Sequence, residues 1–290
     1  MMYAITGITG KVGSELARTL LAAGEPVRAV VRDAKKGQEW AAVGCKIALA
    51  KMEEASALAD AFIGATAVFI LPPPEFDPEP GYPEARAVIN NVVEALRAAK
   101  PRRVLFLSTI GADAKQDNLL SQRGVMEEAL RKLQIPLTIL RPAWFIDNAA
   151  WDVVSARDTG LIHSFLQPIE KAFPMVAAKD VGRLAAKLIR EDWTGTRIVE
   201  LEGPNRITPN DLADSFARVI GKPVCAVPVP RESWDELFRS QGMRNPEPRI
   251  RMLDGFNEGW IEFEDGGSKA IKGSTNALAV IAALVANTEA

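Results

Sequence analysis

The chain predicts an α/β fold: a doubly wound parallel sheet with a smaller, mostly helical C-terminal region. Two patterns carry this. Short apolar runs alternate with helically spaced apolar residues through the first half, as in strands joined by crossover helices. Beyond Trp144 clear strands thin out, Pro and Gly become frequent and loops lengthen.

The runs are Tyr3–Thr6, Val27–Val31, Lys46–Ala50, Ala67–Leu71, Arg103–Ser108 and Leu137–Arg141, with Arg197–Leu201 as a seventh strand. Several are dense in Val, Ile, Leu and Phe, the composition of strands buried on both faces. Between them, Val12, Leu16 and Leu20 recur every four residues and end at Gly24, a helix stop. Val88, Val92 and Leu96 repeat the spacing, with Ile89 and Val93 widening the buried face. Met126, Leu130 and Leu133 mark a further helix before Pro136, and Val181, Leu184 and Leu188 another.

In the second half, Thr208-Pro209-Asn210-Asp211 reads as an N-cap, a proline at the first helical position and an acid in the first turn. Residues 232–241, 250–259 and 276–286 read as helices. Residues 78–83 and 263–275 read as loops. Residues 1–150, joined by 178–202, are expected to form the larger domain, and 203–290 with 151–177 the smaller, substrate-binding region.

Bulk properties exclude several function classes. The 290 residues are 48% hydrophobic and 25% charged, with a net charge of −2, which gives no basic excess for a nucleic-acid partner. The longest uncharged apolar segment, Asn276–Asn287, is shorter than the roughly 20 residues a membrane span needs. The N-terminus has no secretory pattern, and two cysteines make no disulfide framework, so a cytoplasmic setting is expected. His163 is the one histidine, which leaves no multi-histidine metal site, and no metal is expected.

The strand Tyr3–Thr6 runs straight into Gly7-Ile8-Thr9-Gly10-Lys11-Val12-Gly13 and then a helix. A dinucleotide pyrophosphate needs free backbone N–H groups at a helix N-terminus and no Cβ in its path. Gly7 suits the tight turn, Gly10 the approach to phosphate, and Gly13 close packing of helix on sheet. In strand–loop–helix context the G-x-x-G-x-x-G spacing reads as a Rossmann-type cofactor loop. The second strand ends in Arg32 rather than an acid, and Lys35 and Lys36 follow. A cation there pairs with the 2′-phosphate of NADP, so NADP(H) is expected over NAD(H). Asp33, one residue later, is the feature that argues the other way.

The glycine loop, residues 27–33, Ser108-Thr109-Ile110-Gly111-Ala112 and Leu140-Arg141-Pro142-Ala143-Trp144-Phe145-Ile146-Asp147-Asn148 occur in the order seen in the NmrA-like family. The chain resembles that family of atypical short-chain dehydrogenases/reductases over nearly its whole length. Within it, the chain is most similar to bacterial NAD(P)H:quinone reductases and triphenylmethane-dye reductases. The resemblance implies that Gly7, Thr9, Gly10, Lys11, Val12 and Gly13 wrap the pyrophosphate and that Arg32, with Lys36 nearby, meets the 2′-phosphate. It implies that Leu71, Pro72 and Pro73 line the adenosine side, and that Ser108 and Thr109 sit by the nicotinamide ribose. Pro142, Ala143 and Trp144 would border the nicotinamide, and Asn148 would face the substrate.

Many short-chain reductases use a Tyr-x-x-x-Lys pair, in which lysine tunes a proton-donating tyrosine. Here Tyr3 is followed at that spacing by Gly7 and Tyr82 by Arg86, so the pair is absent. Family members carry lysine or histidine ahead of the helix before the sixth strand; this chain has Ser121-Gln122-Arg123-Gly124. Arg123 and Asn148 remain as catalytic candidates, and arginine cannot donate its proton near neutral pH. Phe145 and Trp260 are candidates for an aromatic substrate, with Trp151 and Trp234 open to stacking or core roles. The resemblance implies a reductase passing hydride to a small quinone-like or conjugated aromatic acceptor, and a monomer or homodimer is expected. The alternative is an NADP(H)-binding redox sensor without turnover.

Overall fold

Six strands follow the six apolar runs to within one residue at either end: β1 (Tyr3–Ile5), β2 (Val27–Val31), β3 (Lys46–Leu49), β4 (Ala67–Ile70), β5 (Arg103–Leu107) and β6 (Leu137–Pro142). The structure, a computed structural model, describes residues 1–288. Strands β7 (Trp144–Phe145), β8 (Leu161–Ser164), β9 (Met175–Val176), β10 (Thr196–Glu202), β11 (Cys225–Pro228) and β12 (Ile271–Lys272) come after them. The helices are α1 (Lys11–Ala22), α2 (Ala34–Ala42), α3 (Ala55–Phe62), α4 (Pro83–Ala99), α5 (Ser121–Arg131) and α6 (Val153–Thr159). Beyond them lie α7 (Ala178–Leu188), α8 (Pro209–Ile220), α9 (Trp234–Ser240), α10 (Glu247–Glu258) and α11 (Ala277–Thr288).

The main sheet has eight strands in the order β12-β10-β6-β5-β4-β1-β2-β3, paired in parallel throughout. The winding reverses between β1 and β4, and a crevice opens there at the C-terminal strand ends. Alternate strand residues feed two cores. Ile5, Ala29, Val31, Leu105 and Leu107 pack on one face; Ala4, Val30, Val68, Val104 and Phe106 pack on the other. A third cluster, with Val153, Ile162, Phe216 and Ile281, holds α6, α8 and α11 together.

The edges depart from the sequence reading. Lys46, Ile47 and Leu49 of β3 are exposed, β3 being the edge strand of the main sheet among the described residues. The segment 263–275, read as loop, contains β12, which Leu201↔Ile271 pairing adds to the opposite edge. Two residues have no periodicity, so only the partner strand reveals them.

Close helix packing places the first helix. A Cβ on Gly182 of α7 would stand 2.6 Å from Glu15 Cβ and 2.8 Å from the Val12 carbonyl oxygen of α1. The Thr208 cap also forms: Asp211 N donates to Thr208 Oγ1 at 3.0 Å, and Thr208 N donates back to Asp211 Oδ2 at 2.8 Å. Among the described residues no helix is long and apolar enough to cross a membrane.

Candidate active site at the sheet's switch point

The glycine loop is built as its spacing requires. Gly7 has φ +63°, and its carbonyl accepts the Gly10 N–H at 3.0 Å. A Cβ on Gly13 would collide with the Gly7 carbonyl oxygen and come within 2.8 Å of the carbonyl carbon. The first helical hydrogen bond is Ser14 N to Gly10 O at 2.9 Å, and α1 has no side-chain cap. The N–H groups of Lys11, Val12 and Gly13 therefore point out of the helix start unclaimed, the arrangement an anion binds. These groups fit a dinucleotide pyrophosphate.

Thr6, at the end of the first apolar run, clips the two switch-point strands together. Its hydroxyl donates to Phe69 O at 3.0 Å and accepts from Leu71 N at 2.8 Å. Leu71 is thereby drawn over Gly7, where a Cβ would stand 2.9 Å from Leu71 Cδ2.

At the end of β2, Arg32 is exposed and forms no ion pair among the described residues. Asp33 turns its carboxylate to the Lys35 N–H at 2.8 Å and caps α2. Asp33 is thus engaged at the start of α2, whereas Arg32 has no such partner among the described residues. Lys36 is exposed on the first turn of α2.

A cleft of about 420 Å³ runs along the C-terminal strand ends. Lys11, Val12, Leu71 and Leu107 line one side; Phe145, Asp147, Asn148, Ala150, Trp151 and Ala178 line the other. The structure thus brings Lys11, Val12, Leu71, Phe145 and Asn148 of the expected set together. Sequence reasoning missed Asp147 as a cleft residue. Its carboxylate meets Lys11 Nζ at 3.2 Å and accepts the Ala178 N–H at 2.8 Å, capping α7. The signal was its place between two nominated residues, Phe145 and Asn148. Trp151 is 89% exposed on the cleft rim. A separate concavity of about 280 Å³ over β10 and β12, lined by Glu200, Glu264 and Lys269, shares no residue with this cleft.

Other expected residues sit elsewhere. Ser108 is buried and its hydroxyl donates to Glu127 Oε1 at 2.5 Å, so it faces the interior rather than a ribose. The cause is Glu127 itself, a buried carboxylate that needs every donor nearby. Arg141 supplies two more, at 2.9 and 2.6 Å, and reaches Asp113 at 2.6 Å. Trp260 was expected at the substrate, but the cleft lining does not include it. Its indole covers Gly255 and its N–H is satisfied by Glu258 at 2.9 Å. Trp234 is fully buried against Phe165, and His163 is exposed on β8.

Pro142 and Ala143 are buried, and the cleft lining includes neither. Trp144 is half-buried and meets Phe256 edge-on, with centroids 5.3 Å apart. Thr109 is half-buried, Pro72 is buried, and Thr9 and Pro73 are exposed. Arg123, on the first turn of α5, donates a long hydrogen bond of 3.4 Å to the Pro72 carbonyl. Burial pushes its pKa down to about 10, so it stays cationic at neutral pH. Neither tyrosine is placed as a proton donor. Tyr3 is buried in β1, and burial followed by the Asp117 hydrogen bond raises the Tyr82 hydroxyl far above its ordinary value.

Comparison with known proteins agrees with this geometry. A family model described as NAD(P)H-binding matches residues 7–192. The chain is 25% identical to an NAD(P)H azoreductase of Xenophilus azovorans, over 89% of this chain and 85% of that one. By structure it matches the NADPH-dependent quinone oxidoreductase QOR2 of Escherichia coli, solved with NADPH, with a TM-score of 0.79 and 23% identity. That match covers 98% of this chain and 99% of the other. The triphenylmethane reductase of Citrobacter sp. matches with a TM-score of 0.79 and 22% identity, over 99% and 100% of the two chains. At these identities the structural matches establish the shared α/β fold.

Proposed function

This chain belongs to the NAD(P)H-binding family, and we propose that it is an NADPH-dependent reductase of quinone-like or conjugated aromatic acceptors, an NmrA-like member of the atypical short-chain reductases. The observation that carries the reading is the cleft itself. It joins the glycine loop at Lys11 and Val12 to an aromatic rim at Phe145 and Trp151.

Gly7, Thr9, Gly10, Lys11, Val12 and Gly13 would hold the pyrophosphate, and Arg32 with Lys36 the 2′-phosphate. Leu71, Pro72 and Pro73 would flank the adenosine side. Thr109 and residues 142–144 would border the nicotinamide, which supplies a hydride when bound. Arg32, exposed and unneutralised, favours NADPH over NADH.

The chain's own part is placement. Phe145 and the exposed Trp151 offer flat apolar faces to a planar ring, and Asn148 offers an amide to its polar edge. Hydride transfer to a quinone depends mainly on proximity and alignment, and water supplies the proton. The reading therefore needs no Tyr-x-x-x-Lys pair. Relatives with azoreductase and quinone oxidoreductase names support this acceptor class. The free Cys45 and Cys225 support a cytoplasmic setting.

The same lack of a Tyr-x-x-x-Lys pair favours the second reading, a redox sensor that binds NADP(H) without turnover. NADPH oxidation followed at 340 nm across a quinone and azo-dye panel separates the two. Turnover of several acceptors is expected. A flat trace for every acceptor, with tight NADPH binding, would leave the sensor.

A further inference from the structure

One ion pair joins the two walls of the cleft. Lys11, on the glycine-loop side, brings Nζ to 3.2 Å from Asp147 Oδ1 and donates at 3.5 Å to the Asp147 carbonyl on the opposite side. Asp147 stands between Phe145 and Asn148, so the ammonium crosses the cleft beside the residues that would receive an acceptor ring. Among the described residues, Lys11 and Asp147 are the only charged members of the lining.

The two ends of this bridge differ in freedom. Asp147 is held in place. Its Oδ2 accepts the Ala178 N–H at 2.8 Å, and Phe145 pairs with Val176 two residues before that helix begins. Helix α7 is in turn seated on α1. A Cβ on Gly182 would stand 2.8 Å from the Val12 carbonyl oxygen, and Arg183 Nε donates to Glu15 Oε1 at 2.8 Å. These contacts keep the walls at their spacing with or without the bridge. Lys11 is the free end. Its side chain is 55% exposed against 17% for Asp147, and its ammonium bonds nothing but Asp147 among the described residues. A flexible four-carbon stem lets it swing. It is also the first residue of α1, beside the unclaimed N–H groups. A pyrophosphate seated there carries two negative charges and outcompetes one carboxylate for the ammonium.

We propose that the Lys11–Asp147 pair is a strap across the cofactor-free cleft. A dinucleotide opens it by drawing Lys11 to its pyrophosphate, and the acceptor wall becomes fully accessible only then. Asp147 is a positioning residue that acts through Lys11. The acceptor half of this inference rests on the reductase reading above; the strap rests on the ion pair. A partly exposed pair is weak, so the strap lowers the affinity of the cofactor-free chain for an acceptor by a modest factor, set by the fraction of molecules in which it is open.

Duroquinone is the probe. It is neutral, so the variants change no charge attraction to it, and it has no free ring position for thiol addition. Its binding is followed by tryptophan fluorescence quenching, on cofactor-free and on NADP+-saturated protein, for wild type, Asp147→Asn, Lys11→Gln and the double variant. In cofactor-free protein each variant should bind duroquinone about three- to tenfold more tightly than wild type, and the double variant no more tightly than either single one, because each removes the same strap. Lys11→Arg, which keeps the pair, should stay near wild type. In NADP+-saturated protein all forms should agree within about twofold, since the strap is already open.

Cofactor affinity gives an arm that needs no acceptor. Asp147→Asn should tighten NADP+ binding about three- to tenfold with Lys11 present and less than about twofold in the Lys11→Gln background. An equal gain in both backgrounds would mean that the carboxylate simply repels the pyrophosphate, and would overturn the strap. So would cofactor-free variants that bind duroquinone like wild type, or that change equally with and without NADP+. If no form binds duroquinone and wild type reduces no acceptor, the reductase reading falls, and the NADP+ cycle decides the strap by itself. Melting temperatures identify a variant that has lost its fold, and Lys11→Gln, on an exposed side chain, keeps the test open if Asp147→Asn fails to fold.

Discussion

Lys11 Nζ lies 3.2 Å from Asp147 Oδ1, tying the cofactor loop to the turn that follows β7. Lys11 stands on the first turn of α1, where a pyrophosphate would meet the free N–H groups. Asp147 is thus a carboxylate beside an anion site and competes for the same ammonium. Asp147→Asn keeps an acceptor for the Ala178 N–H and removes the charge. Calorimetry should show NADPH binding about three- to tenfold tighter, with little change in Tm. Weaker binding would mean that the carboxylate helps hold Lys11 for phosphate instead of withholding it.

Arg32 reports on cofactor choice. Replacing the free guanidinium with a carboxylate in Arg32→Glu exchanges attraction to a 2′-phosphate for repulsion. Kd for NADPH should rise about 100-fold and Kd for NADH less than threefold. Equal losses on the two cofactors would refute the assignment.

Gly13 tests the loop's packing. In Gly13→Ala the methyl group meets the Gly7 backbone, which is hydrogen-bonded to Gly10 and cannot shift cheaply. The expected cost is about 2–3 kcal/mol of unfolding stability, together with loss of dinucleotide binding. Gly24→Ala is a contrasting control for backbone strain without a clash, since Gly24 has a positive φ of 74° and a Cβ there meets nothing within 4 Å. A Gly13→Ala protein that melts like wild type and binds NADPH would remove the close-packing role.

Asp152 gives a pH signature. Burial raises its pKa from 3.8 to about 6, and its carboxylate has no hydrogen bond among the described residues. A raised carboxyl pKa contributes stability that is full below about pH 4 and is lost as pH rises through 6. Asp152→Asn should therefore be more stable than wild type at pH 7 by about 1–2 kcal/mol, a few degrees in Tm, and nearly equal to it at pH 4. A Tm difference that is the same at both pH values would show that the carboxyl is well solvated.

The elements most legible in the chain were those whose signal is local. Val68, Phe69 and Ile70 are apolar in succession because β4 is covered on both faces, and the strand is where that run predicts it. Val12, Leu16 and Leu20 share one helical face and are all buried. Gly7 and Gly13 were readable because a positive φ and a close backbone approach constrain residue type at one position. By contrast β12 and the edge exposure of β3 depend on which strands pair, and no spacing within Ile271-Lys272 carries that.

Of the candidate site, the glycine loop, the cation at Arg32 and the aromatic residues around Trp144 were legible in the chain by itself, because each is a residue type visible at neighbouring positions. Tertiary structure alone decided where side chains spend their polar groups. Ser108 faces Glu127, 19 residues away, because a buried carboxylate must be satisfied. Asp147 meets Lys11, 136 residues away in sequence. Arg123 forms no ion pair among the described residues and reaches the Pro72 carbonyl, 51 residues away, instead. Such pairings follow from contacts between distant segments, and a buried charge finds its partner, or lacks one, only when the chain has closed around it.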